Sequence, residues 1–64
     1  MQNRRWIVVF SQEHDDGERK KLYDDVTAVG YSQAITFAGD RLVKEGEKRE
    51  DWEVRRVDSI YAGS

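Results

Sequence analysis

An α+β fold of order β-β-α-β, with three antiparallel strands arranged 2-1-3 and one helix packed on one face, follows from three features of the sequence. The run Trp6-Ile7-Val8-Val9-Phe10 is short, continuous and made of β-branched or aromatic residues. From Tyr31 to Leu42 the apolar residues recur at helical spacing, and from Trp52 to Val54 they return to alternation. The first pattern belongs to a strand buried on both faces, the second to an amphipathic helix and the third to a strand with one wet side.

The apolar run places the central strand over Arg4 to Ser11. Gln12 to Lys20 contains no apolar side chain and holds Asp16-Gly17, a pair suited to the positive φ angles of a hairpin turn. The second strand is therefore expected from about Lys21 to Val29, antiparallel to the first. Strict alternation puts Leu22, Val26 and Ala28 on one face and Tyr23, Thr27 and Val29 on the other. Tyr31, Ala34, Ile35, Ala38 and Leu42 form one stripe at about 100° per residue. Gly30 can serve as N-cap, with Gln33 able to reach back to its N–H, and Ser32 is a rival cap. Gly46 supplies a left-handed stop. Glu47 to Asp51 reads as a solvated loop, followed by the third strand from Trp52 to Val57. Val57 breaks the alternation, so either a bulge shifts the phase or the tail from Asp58 to Tyr61 packs separately.

At 64 residues the chain fits one domain, 1–64, of a size that buries only about 60% of the surface of its extended form. Cysteine is absent and histidine occurs once, so neither disulfides nor a thiolate or nitrogen-rich metal site is expected. A partner chain, another copy or a different protein, is the remaining source of extra stability. Thirteen acidic and eleven basic side chains give a net charge of −2, which offers no global attraction to nucleic acid or anionic membranes. The longest apolar run is far below the roughly 20 residues of a membrane span. It is also too short for a secretory signal, and a cytoplasmic location is expected.

The passage Val26-x-Ala28 followed by Gln33-Ala34-Ile35 and Ala38 resembles a strand-to-helix segment of short uncharacterised bacterial and phage proteins. In those, Val-x-Ala leads into Ser-x-x-Glu-Ala-Ile-x-x-Ala. The resemblance covers about thirteen residues, and Gly30 stands where such proteins place the Ser cap. It implies a ββαβ scaffold and a phage or mobile-element origin, and no activity.

A single helix covers one face of a sheet whose central strand is apolar on both. With Trp6, Val8 and Phe10 turned to the helix beside Trp52 and Val54, a patch of Ile7, Val9, Tyr23 and Val57 is left on the open face; the reverse assignment exposes the aromatics instead. It is either a contact surface or is covered by Arg and Lys stems or by Ile60 and Tyr61 of the tail. A second candidate contact is the helix flank of Phe37, Arg41 and Lys44, an aromatic and basic group of the composition found at binding hot spots. Its alternative is that Phe37 folds over the sheet edge and widens the core.

For nucleic acid the best case is a stacking platform at Trp6 flanked by Arg4, Arg5, Arg55 and Arg56. Asp24, Asp25, Glu53 and Asp58 on the same strands cancel much of that field. Glu13-His14-Asp15-Asp16 could hold a divalent ion or transfer protons, but a water-exposed turn has no pocket to shift a pKa. The serines have no base at hand, and the glycines form no phosphate loop. No catalytic residue, cofactor or metal is expected. The reading is a non-enzymatic protein-binding module, able to form a homodimer and to occupy or inhibit a host protein. Single-stranded nucleic-acid binding on the sheet face is the alternative, and acidic mimicry of nucleic acid a third.

Overall fold

The computed structural model describes residues 2–60. The elements are β1 (Arg4–His14), β2 (Gly17–Ala28), α1 (Tyr31–Lys44), a 3-10 turn (Arg49–Asp51) and β3 (Glu53–Ile60). β1 lies between β2 and β3, antiparallel to both, in the expected order 2-1-3.

The β1–β2 hairpin is longer than its apolar residues require. The polar segment after Ser11 continues the ladder through Gln12 opposite Arg19 and Glu13 opposite Glu18, up to the turn at Asp15-Asp16. Pairing satisfies backbone N–H and C=O groups whatever the side chains are, so a polar sequence extends a hairpin that an apolar one began. Gly17 carries a φ of 137°, and no non-glycine residue among those described has a positive φ. β3 stops short of this arm, its first partner on β1 being Ser11 opposite Glu53.

Both outer strands carry a bulge, and the two bulges decide which residues face the helix. On β3 the pairing steps from Val9 opposite Arg56 to Phe10 opposite Val54, leaving Arg55 as the extra residue. Val57 is thereby returned to the helix side, opposite Val8, and packs with Val54 against the core. On β2 the pairing steps from Trp6 opposite Val26 to Val8 opposite Tyr23, so that Asp24 and Asp25 together span Ile7. This second bulge overturns the expected faces of β2. Tyr23 joins Val26 and Ala28 in the core, and Leu22, opposite Val9, turns to the open side, where it is 62% exposed. The cause is Asp24, which strict alternation would place between Leu22 and Val26 in the apolar layer; an unpaired buried carboxylate costs far more than one irregular step in the ladder.

The core lies between the sheet and α1. Trp6, Val8 and Phe10 of β1 meet Tyr23, Val26 and Ala28 of β2, Ala34, Ala38 and Leu42 of the helix, and Trp52. Alanines at the helix contact let the backbone approach the strands. Burying Phe10 or Leu42 contributes about 1.5–3 kcal/mol each. The Phe10 and Tyr23 rings meet edge to face at 6.1 Å and 73°, a favoured aromatic geometry.

Gly30 is the helix N-cap, as expected. Gln33 reaches one residue further back than anticipated, its Oε1 accepting from the N–H of Val29 at 2.9 Å. At the other end Gly46 has a φ of 94°. Its N–H donates to Val43 O at 3.0 Å, while that of Glu47 donates to Leu42 O at 3.2 Å, which together form a complete Schellman stop. Tyr31, expected in the stripe, is exposed, and Gly39 is buried in its place. A Cβ at Gly39 would lie 3.0 Å from Arg49 Nε, so the missing side chain leaves room for that arginine to cross the helix.

A candidate docking face on the open side of the sheet

The helix side of the sheet is closed by a set of polar clamps around the core. Tyr23 Oη donates to Glu45 Oε1 at 2.8 Å, and Lys21 Nζ donates to the same oxygen at 2.7 Å. Glu45 caps the helix C-terminus, where a carboxylate opposes the helix dipole; the two donors offset that. Lys21 first, then Tyr23, holds the Glu45 carboxyl below its ordinary pKa. Burial, followed by the Glu45 hydrogen bond, pushes the Tyr23 hydroxyl from 10.0 up to about 12. Arg49 lies over the Phe10 ring at 4.9 Å and donates to Trp52 O at 2.8 Å. No buried side-chain polar atom among the described residues lacks a partner.

The open side is different. Ile7 and Val9 of β1 are half-buried, Ile60 continues β3 opposite Arg5 and is also half-buried, and Leu22 stands out beside Val9. Val9 and Leu22 floor a shallow hollow of about 440 Å³ rimmed by Lys20, Arg55 and Arg56. The β3 bulge makes this rim: two consecutive residues facing one partner can aim their side chains to the same face. Lys20 pairs with Glu18 at 3.4 Å and Arg56 with Asp58, both exposed pairs of small energetic weight. Arg55 makes no ion pair among the described residues. Toward the hairpin a second hollow, of about 310 Å³, is lined by Glu13, Glu18, Glu50, Asp51 and Glu53, and it shares Arg55 with the first.

Of the sheet-face residues expected from the sequence, Ile7 and Val9 lie on the open side. Tyr23 and Val57 do not, for the bulges turn both to the helix. Leu22 is the residue that sequence reasoning missed. Of the tail expected to cover this face, Ile60 is a strand residue in register with Arg5, and Tyr61 lies outside the described residues. The helix flank is divided. Phe37 is 41% exposed and Lys44 is exposed, but Arg41 pairs with Asp25 and lies over the Tyr23 ring at 5.2 Å, so its charge is committed to the sheet. That contact holds the Asp25 carboxyl below its ordinary range.

The stacking platform is not assembled. Trp6 is 8% exposed, on the helix side, with Nε1 donating to Ala28 O at 3.0 Å. Arg4 and Arg5 pair across from Ala28 and Thr27, whereas Arg55 and Arg56 flank Val9 at the far end of the apolar run. They do not converge. His14 is exposed beside Gln12, and no group of His, Asp and Glu among the described residues is arranged to hold a metal ion.

The fold and face define a small α+β domain with one roofed and one open sheet surface. Comparison with protein-family models, curated proteins and solved structures finds no match. Among the described residues no helix is long and apolar enough to cross a membrane.

Proposed function

We propose that the chain is a non-enzymatic protein-binding module that meets its partner on the open sheet face. The observation that carries this reading is Leu22, 62% exposed beside Val9 in a hollow rimmed by Lys20, Arg55 and Arg56. An apolar floor with a cationic rim suits a protein surface that offers an apolar side chain bordered by carboxylates. The aromatics that a nucleic-acid reading needs are spent in the core, since both tryptophans are buried there. A cytoplasmic setting and an accessory or inhibitory role toward a host protein belong to the same proposal.

A photo-crosslinking residue at position 22, compared with one at exposed Thr36 on the helix, tests it in cells that carry the protein. A protein adduct formed from position 22 and not from position 36 is expected. Equal labelling from both positions, or none from position 22, counts against the face.

A further inference from the structure

We infer that the occupant of the open face is a second copy of this chain, laid sheet to sheet with its strands reversed; this rests on the protein-binding reading. The face carries opposite charges in two adjoining hollows. Glu13, Glu18, Glu50, Asp51 and Glu53 gather at the hairpin end, and Lys20, Arg55 and Arg56 ring the adjoining hollow over Val9 and Leu22. Arg55 lines both and has no ion pair among the described residues.

A two-fold axis lying between two such faces and running across the strands reverses one copy end for end. The carboxylate end of each copy then covers the cationic hollow of the other, and the contact is made twice. Val9 and Leu22, on the floor of each hollow, are then covered by the other copy, so Leu22, exposed in the single chain, is shielded where the charges are answered. Stacked sheets normally run about 10 Å apart with strands aligned within about 30°, a spacing that arginine stems can fill. The net charge of −2 per chain leaves little overall repulsion to oppose pairing.

The test is sedimentation velocity of the full chain from micromolar to millimolar concentration, at low and high salt, with the variants Arg55→Glu and Glu53→Arg. Both positions are exposed, and far-UV circular dichroism with urea midpoints checks that both variants fold. The wild type is expected to be dimeric at the upper concentrations and to dissociate as salt screens the contacts. Each variant alone should raise the dissociation constant about tenfold or more by setting like charges face to face. Their equimolar mixture should regain the dimer, because in the mixed pair each reversed charge meets its complement. A wild type that stays monomeric at millimolar concentration in low salt overturns the inference, as does a mixture no better than the separate variants. The crosslink from position 22 separates the two claims: an adduct with a different protein alone leaves the docking face standing and removes the self-pairing, whereas no adduct removes both.

Discussion

Tyr23 shows how one side chain ties the helix to the sheet through both packing and charge. Its ring packs on Phe10 and beneath Arg41, while its hydroxyl donates to the carboxylate of Glu45, the C-cap residue of the helix. The unfolded chain releases the Tyr23 proton near the ordinary 10.0, whereas the native state holds it to about 12. The unfolded state therefore binds fewer protons than the native state between those values, so the contribution is whole below pH 10 and is lost as pH rises through about 12. Glu45 works in the opposite sense. Its lowered pKa gives a contribution present above the ordinary glutamate range and lost as pH falls through the native value. Tyr23→Phe is expected to cost about 1 kcal/mol at neutral pH and to flatten the alkaline fall in stability. Urea unfolding of both proteins at stepped pH checks this; parallel alkaline slopes would show that the hydroxyl carries none of it.

At the level of elements, strand order, the single helix, its Gly30 start and its Gly46 stop are all legible in the sequence, because periodicity and capping chemistry are local. Register is not. The β3 bulge leaves a visible trace in Val57, whose place breaks the alternation. On β2 alternation looks unbroken, and the only trace is Asp24 set between Leu22 and Val26 in what would be an apolar face. That carboxylate was enough to indicate an extra step, and overlooking it exchanges Leu22 for Tyr23 in the candidate site. Once the extra step exists the residue count holds the register, and this sets a prediction for the bulge. Asp24→Ala keeps the residue count and should change stability by less than about 0.5 kcal/mol. Deleting Asp24 forces either Tyr23 or the pair Val26 and Ala28 out of the core, at about 1.5–3 kcal/mol for each large side chain exposed. Comparing urea midpoints of the two variants checks it, and equal midpoints would mean that the bulge does not set the register.

For the molecule as a whole, the small core leaves little margin. A domain of this size without disulfides or metal rarely exceeds about 3–5 kcal/mol of stability. Phe10, wholly buried between Tyr23 and Arg49, is worth a similar amount, since Phe to Ala in a core costs about 3–5 kcal/mol. Phe10→Ala is therefore expected to leave the chain largely unfolded at 25 °C, as judged by near-UV circular dichroism and amide exchange. A cooperative transition retained near the wild-type midpoint would contradict the core assignment. The surface outside the core explains why the candidate site was only half legible. That the central strand is apolar on both faces is plain from Trp6 to Phe10, but the cationic rim depends on Arg55 being an extra residue, which only the pairing reveals.

The kinks in the two outer strands have a further consequence. A straight, unpaired border is a template on which chain after chain can be added without limit. Here β2 is interrupted at Asp24 and Asp25 and β3 at Arg55, so neither margin is even along its whole length. The interruptions count against growth sideways, and the flat of the sheet is the surface of the association proposed above. An assembly made there by a two-fold operation closes on itself and ends as a pair instead of a fibre.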